Sequence, residues 1–283
     1  MDIALARIAA LRPSDTTLQL VGLGLTELPP IPRQIRVLYC GSNRLTRIPD
    51  VLPEGLICLC CDCNQLTYLP DNLPAFLQRL VCDYNQLTEL PETLPTGLEE
   101  LDCSNNQLTR LPTTLPTALI DLNCCNNQLT GLPESLPDKI VTFQCNKNQL
   151  TKLPDFLPSA LKFLKCDENC LIALPNILPA GLKKLTCSQN PLGKLPDILP
   201  AGIEMLVCAN TELTALPRTG PTIRMIYMDW SGCPLVTIPS WVVAVPGMGS
   251  CGDLAFLARM REAEEWRETQ ERWKALHLPL DDW

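Results

Sequence analysis

Residues 101–120 read LDCSNNQLTRLPTTLPTALI, and residues 122–141 read LNCCNNQLTGLPESLPDKIV. The second line repeats the first 21 residues on, holding Cys, Asn, Leu and Pro and letting the rest vary. Outward from this pair the same interval recurs in Asn43, Asn64, Asn85, Asn106, Asn127, Asn148, Asn169 and Asn190. Three residues before each stands a cysteine, from Cys40 to Cys187; Cys208 extends that column where Thr211 replaces the asparagine. The unit is L-x-x-L-x-C-x-x-N-x-L-T-x-L-P-x-x-L-P-x-x, and it runs from about Leu18 to Pro239. A unit this short cannot bury its apolar side alone, so successive units must stack and share one core.

Each fixed letter has a physical reason. L-x-x-L-x-C supplies one short strand per turn to a parallel sheet, with the small cysteine acting as a compact hydrophobe. The asparagine side chain is suited to bond backbone groups where the chain leaves the strand, and stacked asparagines form a ladder. Two prolines per turn, such as Pro112 and Pro116, forbid a regular helix on the return side and favour an extended, polyproline-like path. At about 4.8 Å per strand, ten to eleven turns predict a curved rod of roughly 50 Å.

The ends depart from the repeat, as capping turns do. In TLQLVGLGLTELPP, Leu20 fills the cysteine column. In IRMIYMDWSGCPLVTIP, the expectation is Met228 in that column, followed by a two-residue insertion. Residues 1–16 read as a short amphipathic N-terminal helix, 17–240 as the solenoid and 241–283 as a C-terminal capping segment. Within that segment, Phe256, Met260, Ala263, Trp266 and Trp273 predict one amphipathic helix over about Asp253 to Leu276.

This L-x-x-L-x-C-x-x-N-x-L-T-x-L-P-x-x-L-P pattern resembles the bacterial class of leucine-rich repeats. It is similar to the repeat domains of type III secreted effectors of the YopM and IpaH group, and to the repeats of amoeba-associated bacteria and large DNA viruses. The fold expected is a leucine-rich-repeat solenoid with the sheet on its concave side. The resemblance implies an interaction scaffold that binds a protein on that sheet, acting in a reducing cytoplasm, with delivery into a host cell. The IpaH group carries a C-terminal ubiquitin-ligase domain with a catalytic C-x-D, and Cys251 to Asp253 read CGD. About thirty residues follow, too few for that domain, so ligase activity is not expected and the alternative is a truncated relative of such ligases.

Other chemistry has little to stand on. The 283 residues carry a net charge of -8, against a non-specific nucleic-acid binder, which needs basic residues facing phosphates. No apolar run reaches a membrane span of about 18 residues, and the N-terminus lacks the pattern of a secretory signal. Export by a route without such a signal stays open. The single histidine, His277, has no nucleophile motif beside it, no phosphate-cradling glycine loop is present, and neither an enzyme nor a cofactor is expected.

Two features remain. Cys58, Cys60 and Cys63 crowd around the column member Cys61. Their spacing is not that of structural zinc pairs, yet thiols this close are able to take a soft metal or to oxidise. The cysteine column itself should be reduced, because its parallel Cβ vectors strain any bridge. Residues flanking the buried strand leucine should face solvent. On that reckoning the sheet presents Tyr39, Cys58, Cys60, Asp83 and Tyr84, then an acidic middle of Glu99, Glu100, Asp102 and Asp121. A basic third of Lys162, Phe163, Lys165, Lys183 and Lys184 follows, and then Tyr227. Aromatic residues among charges are the expected partner anchors.

Overall fold

The computed structural model describes residues 1–220, 227–236 and 239. The chain divides into a unit Met1–Pro246 and a unit Gly247–Trp283. The second unit, with the helix expected there, the CGD triplet and His277, lies outside the described residues.

Among the described residues one helix, α1 (Asp2–Ala9), precedes eleven strands of three residues each. They are β1 (Thr17–Gln19), β2 (Val37–Tyr39), β3 (Cys58–Cys60), β4 (Arg79–Val81), β5 (Glu100–Asp102), β6 (Asp121–Asn123), β7 (Thr142–Gln144), β8 (Phe163–Lys165), β9 (Lys184–Thr186), β10 (Met205–Val207) and β11 (Tyr227–Asp229). The strands form a single parallel sheet in chain order. Each strand is the central x-L-x of the motif, with Phe143 in β7 and Met228 in β11 in place of leucine, so its middle residue points into the core and its two flanking residues lie on the other face.

The core is built from columns. Leu38, Leu59, Leu80, Leu101, Leu122, Phe143, Leu164, Leu185 and Leu206 are all fully buried, as are Leu45, Leu66, Leu87, Leu108, Leu129 and Leu150 on the far side. Between them run Cys40, Cys61, Cys82, Cys103, Cys124, Cys145, Cys166, Cys187 and Cys208, also without exposed surface. These cysteines are free thiols. Their S–H groups turn toward the next turn's strand carbonyl, as Cys82 does to Asp102 at 3.3 Å and Cys166 to Thr186 at 3.3 Å. Burial first, and after it the charges of neighbouring cysteine and aspartate side chains, pushes the Cys103, Cys124 and Cys166 thiols well above the ordinary range.

The asparagine ladder is present from Asn43 to Asn190. Asn106 Nδ2 donates toward Cys82 O (3.1 Å), Cys103 O (3.1 Å) and Ser104 O (3.0 Å), and its Oδ1 accepts from Leu87 N at 3.0 Å. Each asparagine therefore ties its own turn to the one before it. The residue preceding it adopts a left-handed conformation in every full turn, from Ser42 (φ 53°) through Lys147 (φ 56°) to Asn210 (φ 53°), and the end turns put Gly22 and Gly232 there. A side chain at such a φ costs about 1–2 kcal/mol; the ladder bonds beside it hold the bend. The return side carries no helix among the described residues. Its second proline opens a tight turn closed by the next leucine, as in Leu98 N to Pro95 O at 3.0 Å.

At the N-terminus α1 buries only Ala4, and Arg7 donates from its guanidinium to Gln19 O of β1 at 2.7 Å. The last turn differs from expectation. The register pairs Met228 with Leu206, 22 residues apart instead of the usual 21. Met228 thus belongs to the leucine column, Trp230 follows β11 where a column cysteine stands elsewhere, and the turn carries one additional residue instead of two. Cys233 takes the asparagine's place: its Sγ lies 3.0 Å from Cys208 O, as Asn190 Nδ2 lies 3.0 Å from Cys166 O.

Candidate functional site

The outward sheet face consists of two columns, the residues before and after each strand leucine. They hold Tyr39, Glu100, Asp102, Asp121, Phe163, Lys165, Lys184 and Tyr227 among the expected site residues. Glu99, Lys162 and Lys183 precede their strands, and Asp83 and Tyr84 follow β4 in the bend. Tyr84 occupies the left-handed position at φ 50° and is exposed.

The acidic middle is less open than its sequence implies. Glu100 is only 9% exposed, and its Oε2 lies 3.3 Å from Nε of Arg79 on the neighbouring strand. Asp102 accepts from Ser104 N (3.0 Å), Ser104 Oγ (2.7 Å) and Asn123 Nδ2 (2.9 Å). Beside it, Asp62 and Asp83 stack on adjacent turns. Burial first, then the charges of Asp102 and Asp62, push the Asp83 carboxyl up to about 7. Asp62 is raised for the same leading reason, and its carboxylate lies where a Cβ on Gly41 would stand, 2.5 Å from Oδ1. The signal for this stack was the 21-residue spacing of Asp62 and Asp83 themselves: one period puts like charges about one strand spacing apart.

The basic third offers an aromatic platform. Lys184 Nζ stands 5.5 Å from the centroid of the half-buried Phe163 ring, within cation–π range. Lys165 is on the same strand as Phe163. Lys183 Nζ pairs with Glu204 Oε1 at 2.9 Å. Asp167 accepts from Thr186 Oγ1 and, at 2.8 Å, from Ser188 N, so polar side chains here are laced across turns.

Cys58 and Cys60 depart from expectation. They do lie on the outward columns of β3, but are only 8% and 6% exposed. The register sets Val37 and Tyr39 on one side of them and Arg79 and Val81 on the other. Their sulfurs are 3.8 Å apart. Cys63 has turned away into the bend at φ 50° and is exposed, so the three thiols do not form one cluster. Half-buried Tyr39, beside the pair, is pushed up to about 12 by burial and then by the cysteine charges. Among the described residues no group of three or more His, Cys, Asp or Glu surrounds a common point, and no helix is long and apolar enough to cross a membrane.

Parallel three-residue strands, each with one buried apolar residue that is nearly always leucine, and an asparagine ladder from Asn43 to Asn190 define a leucine-rich-repeat solenoid. The chain has the leucine-rich-repeat fold, and bacterial effector repeat structures are among those it resembles. The family pattern for the leucine-rich repeat matches residues 97–117. No curated protein matches the chain by sequence. Among solved structures, YopM from Yersinia enterocolitica WA-314 is 31% identical over 76% of this chain, with a TM-score of 0.62. This chain spans 50% of that protein's length. YopM from Yersinia pestis is 26% identical, with coverage of 84% of this chain and 90% of that one and a TM-score of 0.57. InlJ from Listeria monocytogenes, whose functional domain includes a cysteine ladder, is 25% identical over 78% of this chain and 54% of its own, with a TM-score of 0.59.

Proposed function

We propose that this chain is a non-enzymatic scaffold that seats a partner protein on its sheet face, working in the reducing cytoplasm of a host cell in the manner of a delivered effector. The observation that carries the reading is the pair of outward columns, in which Phe163 beneath Lys184, next to Lys165, makes an aromatic anchor ringed by cations. Such a rigid aromatic among charges suits a partner surface with acidic groups around an apolar contact. The free, buried cysteine column suits a reducing compartment, and the likeness to the two YopM proteins supports the effector role.

The test compares partner capture by the wild-type chain with capture by a variant carrying Lys162, Lys165, Lys183 and Lys184 all changed to Glu. A single exposed ion pair contributes only about 0–1 kcal/mol, but four reversed charges on adjacent strands act together and also slow encounter. Affinity for the captured partner should fall at least about tenfold, or 1.4 kcal/mol, with the circular dichroism spectrum unchanged. A control on the return side, Phe156→Asp with Ile177→Asp, changes two exposed residues and should keep binding. Retained affinity at low salt in the four-lysine variant, or loss only in the return-side control, overturns the assignment to the sheet face.

A further inference from the structure

The Cys58–Cys60 pair is a thiol cluster that partner binding does not account for. It sits on the third strand of the sheet, well away from Phe163 on the eighth. Residues two apart on a strand share a face, so β3 delivers both sulfurs to the same crevice, 3.8 Å apart. Half of that distance is shorter than a metal–thiolate bond of about 2.3 Å, so an ion bound by both sulfurs would sit beside the line that joins them. Both therefore reach one ion without any movement of the strand.

We propose that Cys58 and Cys60 form a two-thiolate site for a soft monovalent metal ion of the Cu(I) type, on the sheet face. The ligand set selects this class. Zinc sites use three or four protein ligands, and calcium and magnesium need oxygen donors. No third His, Cys, Asp or Glu completes such a shell among the described residues. Soft thiolate ligands select Cu(I), and a pair of them suffices for an ion of low coordination number.

The charge balance also fits. Two thiols and M⁺ give an [M(SR)₂]⁻ unit and release two protons to solvent, with no change of oxidation state. The residual negative charge forms one strand away from the Arg79 guanidinium, whose register partner is Cys58. Val37 and Val81 wall the pair with apolar surface, which shields a metal–sulfur bond from water. The reduced state this chemistry requires is the state of the free thiols in the fold.

The test uses the reduced full-length protein under anaerobic conditions, titrated with Cu(I) against the chromophoric chelator bicinchoninate. Wild type, Cys63→Ser and Cys170→Ser should each withdraw one equivalent of Cu(I) from the chelator. Cys58→Ser and Cys60→Ser should bind at least about 100-fold more weakly, with unchanged circular dichroism. If either serine variant fails to fold, the double variant Cys58→Val with Cys60→Val, apolar and suited to a strand, takes its place. Equal binding by wild type and the pair variants overturns the proposal, as does binding that follows Cys63 or Cys170, or a wild type that withdraws no copper.

Discussion

Changing Asn106 to Ala should cut the solenoid near its middle. The side chain makes four close contacts with backbone groups: three carbonyls within 3.1 Å of Nδ2, and Leu87 N at 3.0 Å from Oδ1. Its amide has two hydrogens, so the three carbonyl contacts amount to two bonds shared among them. Alanine leaves Leu87 N buried without its acceptor, at about 1–3 kcal/mol, and removes two donor bonds of about 1 kcal/mol or less each. The sum is about 3 kcal/mol. In a chain of this size that lowers Tm by roughly 6–12 °C if unfolding is concerted. Because each turn touches only its neighbours, the lost link should also divide the transition, with the halves melting separately and a lower urea m-value. Asn106→Asp should do at least as much harm: it keeps the acceptor for Leu87 N but sets a carboxylate against three carbonyl oxygens. Exposed Gln107→Ala, one residue on, should shift stability by less than about 0.5 kcal/mol. Urea melts of the three variants by circular dichroism decide it. An Asn106→Ala midpoint within error of Gln107→Ala would refute the ladder as the tie between turns.

Two further outcomes are expected. In a native thiol titration read by mass spectrometry, exposed Cys63 and Cys170 should label first, with half-buried Cys125 and Cys233 next. Cys233 has the additional advantage of a thiol held down to about 6 by its hydrogen bonds with Cys208 and Thr211. Rapid native labelling of Cys103 or Cys145 would contradict the buried column. The Asp83 carboxyl, about 7 when folded against an ordinary 3.8, binds its proton more tightly in the folded state. Its effect is therefore a loss of stability as pH rises from about 4 to 7, complete above that. Asp83→Asn should raise Tm by a few degrees at pH 8 and leave it nearly unchanged at pH 4, measured by thermal melts across that range. An equal shift at both pH values would place the effect in packing instead of charge.

The parts of this fold legible in the sequence are those that every turn must repeat. The asparagine and cysteine columns recur because each turn has the same backbone groups to satisfy and the same narrow space to fill. What escaped depends on neighbours 21 residues away acting on particular side chains. Alternation puts Cys58 and Cys60 on the outward face; only the walls contributed by β2 and β4 bury them. Glu100 reads as a surface acid until Arg79, one period earlier, is laid beside it. Met228 was misplaced because the chain gains one residue ahead of β11, where no asparagine or cysteine fixes the register. The left-handed column was hidden by its own variety: Ser42, Cys63, Tyr84, Lys147 and Glu168 share a backbone conformation and no chemistry.

The constancy of the register also bears on how such a chain changes length. Every junction between adjacent full turns is made by the same columns, so a cut between Asn106 and Gln107 presents the same ends as one between Asn127 and Gln128. Excising residues 107–127 would rejoin Asn106 to Gln128 with leucine, cysteine and asparagine columns still in line. The sheet would shorten by one strand, and the cations around Phe163 would move one strand spacing, about 4.8 Å, closer to Arg79 and Glu100. Recombination within such an array thus resets the distance between recognition groups in fixed steps while leaving the surroundings of groups away from the junction intact. It is a ruler whose divisions are the turns themselves.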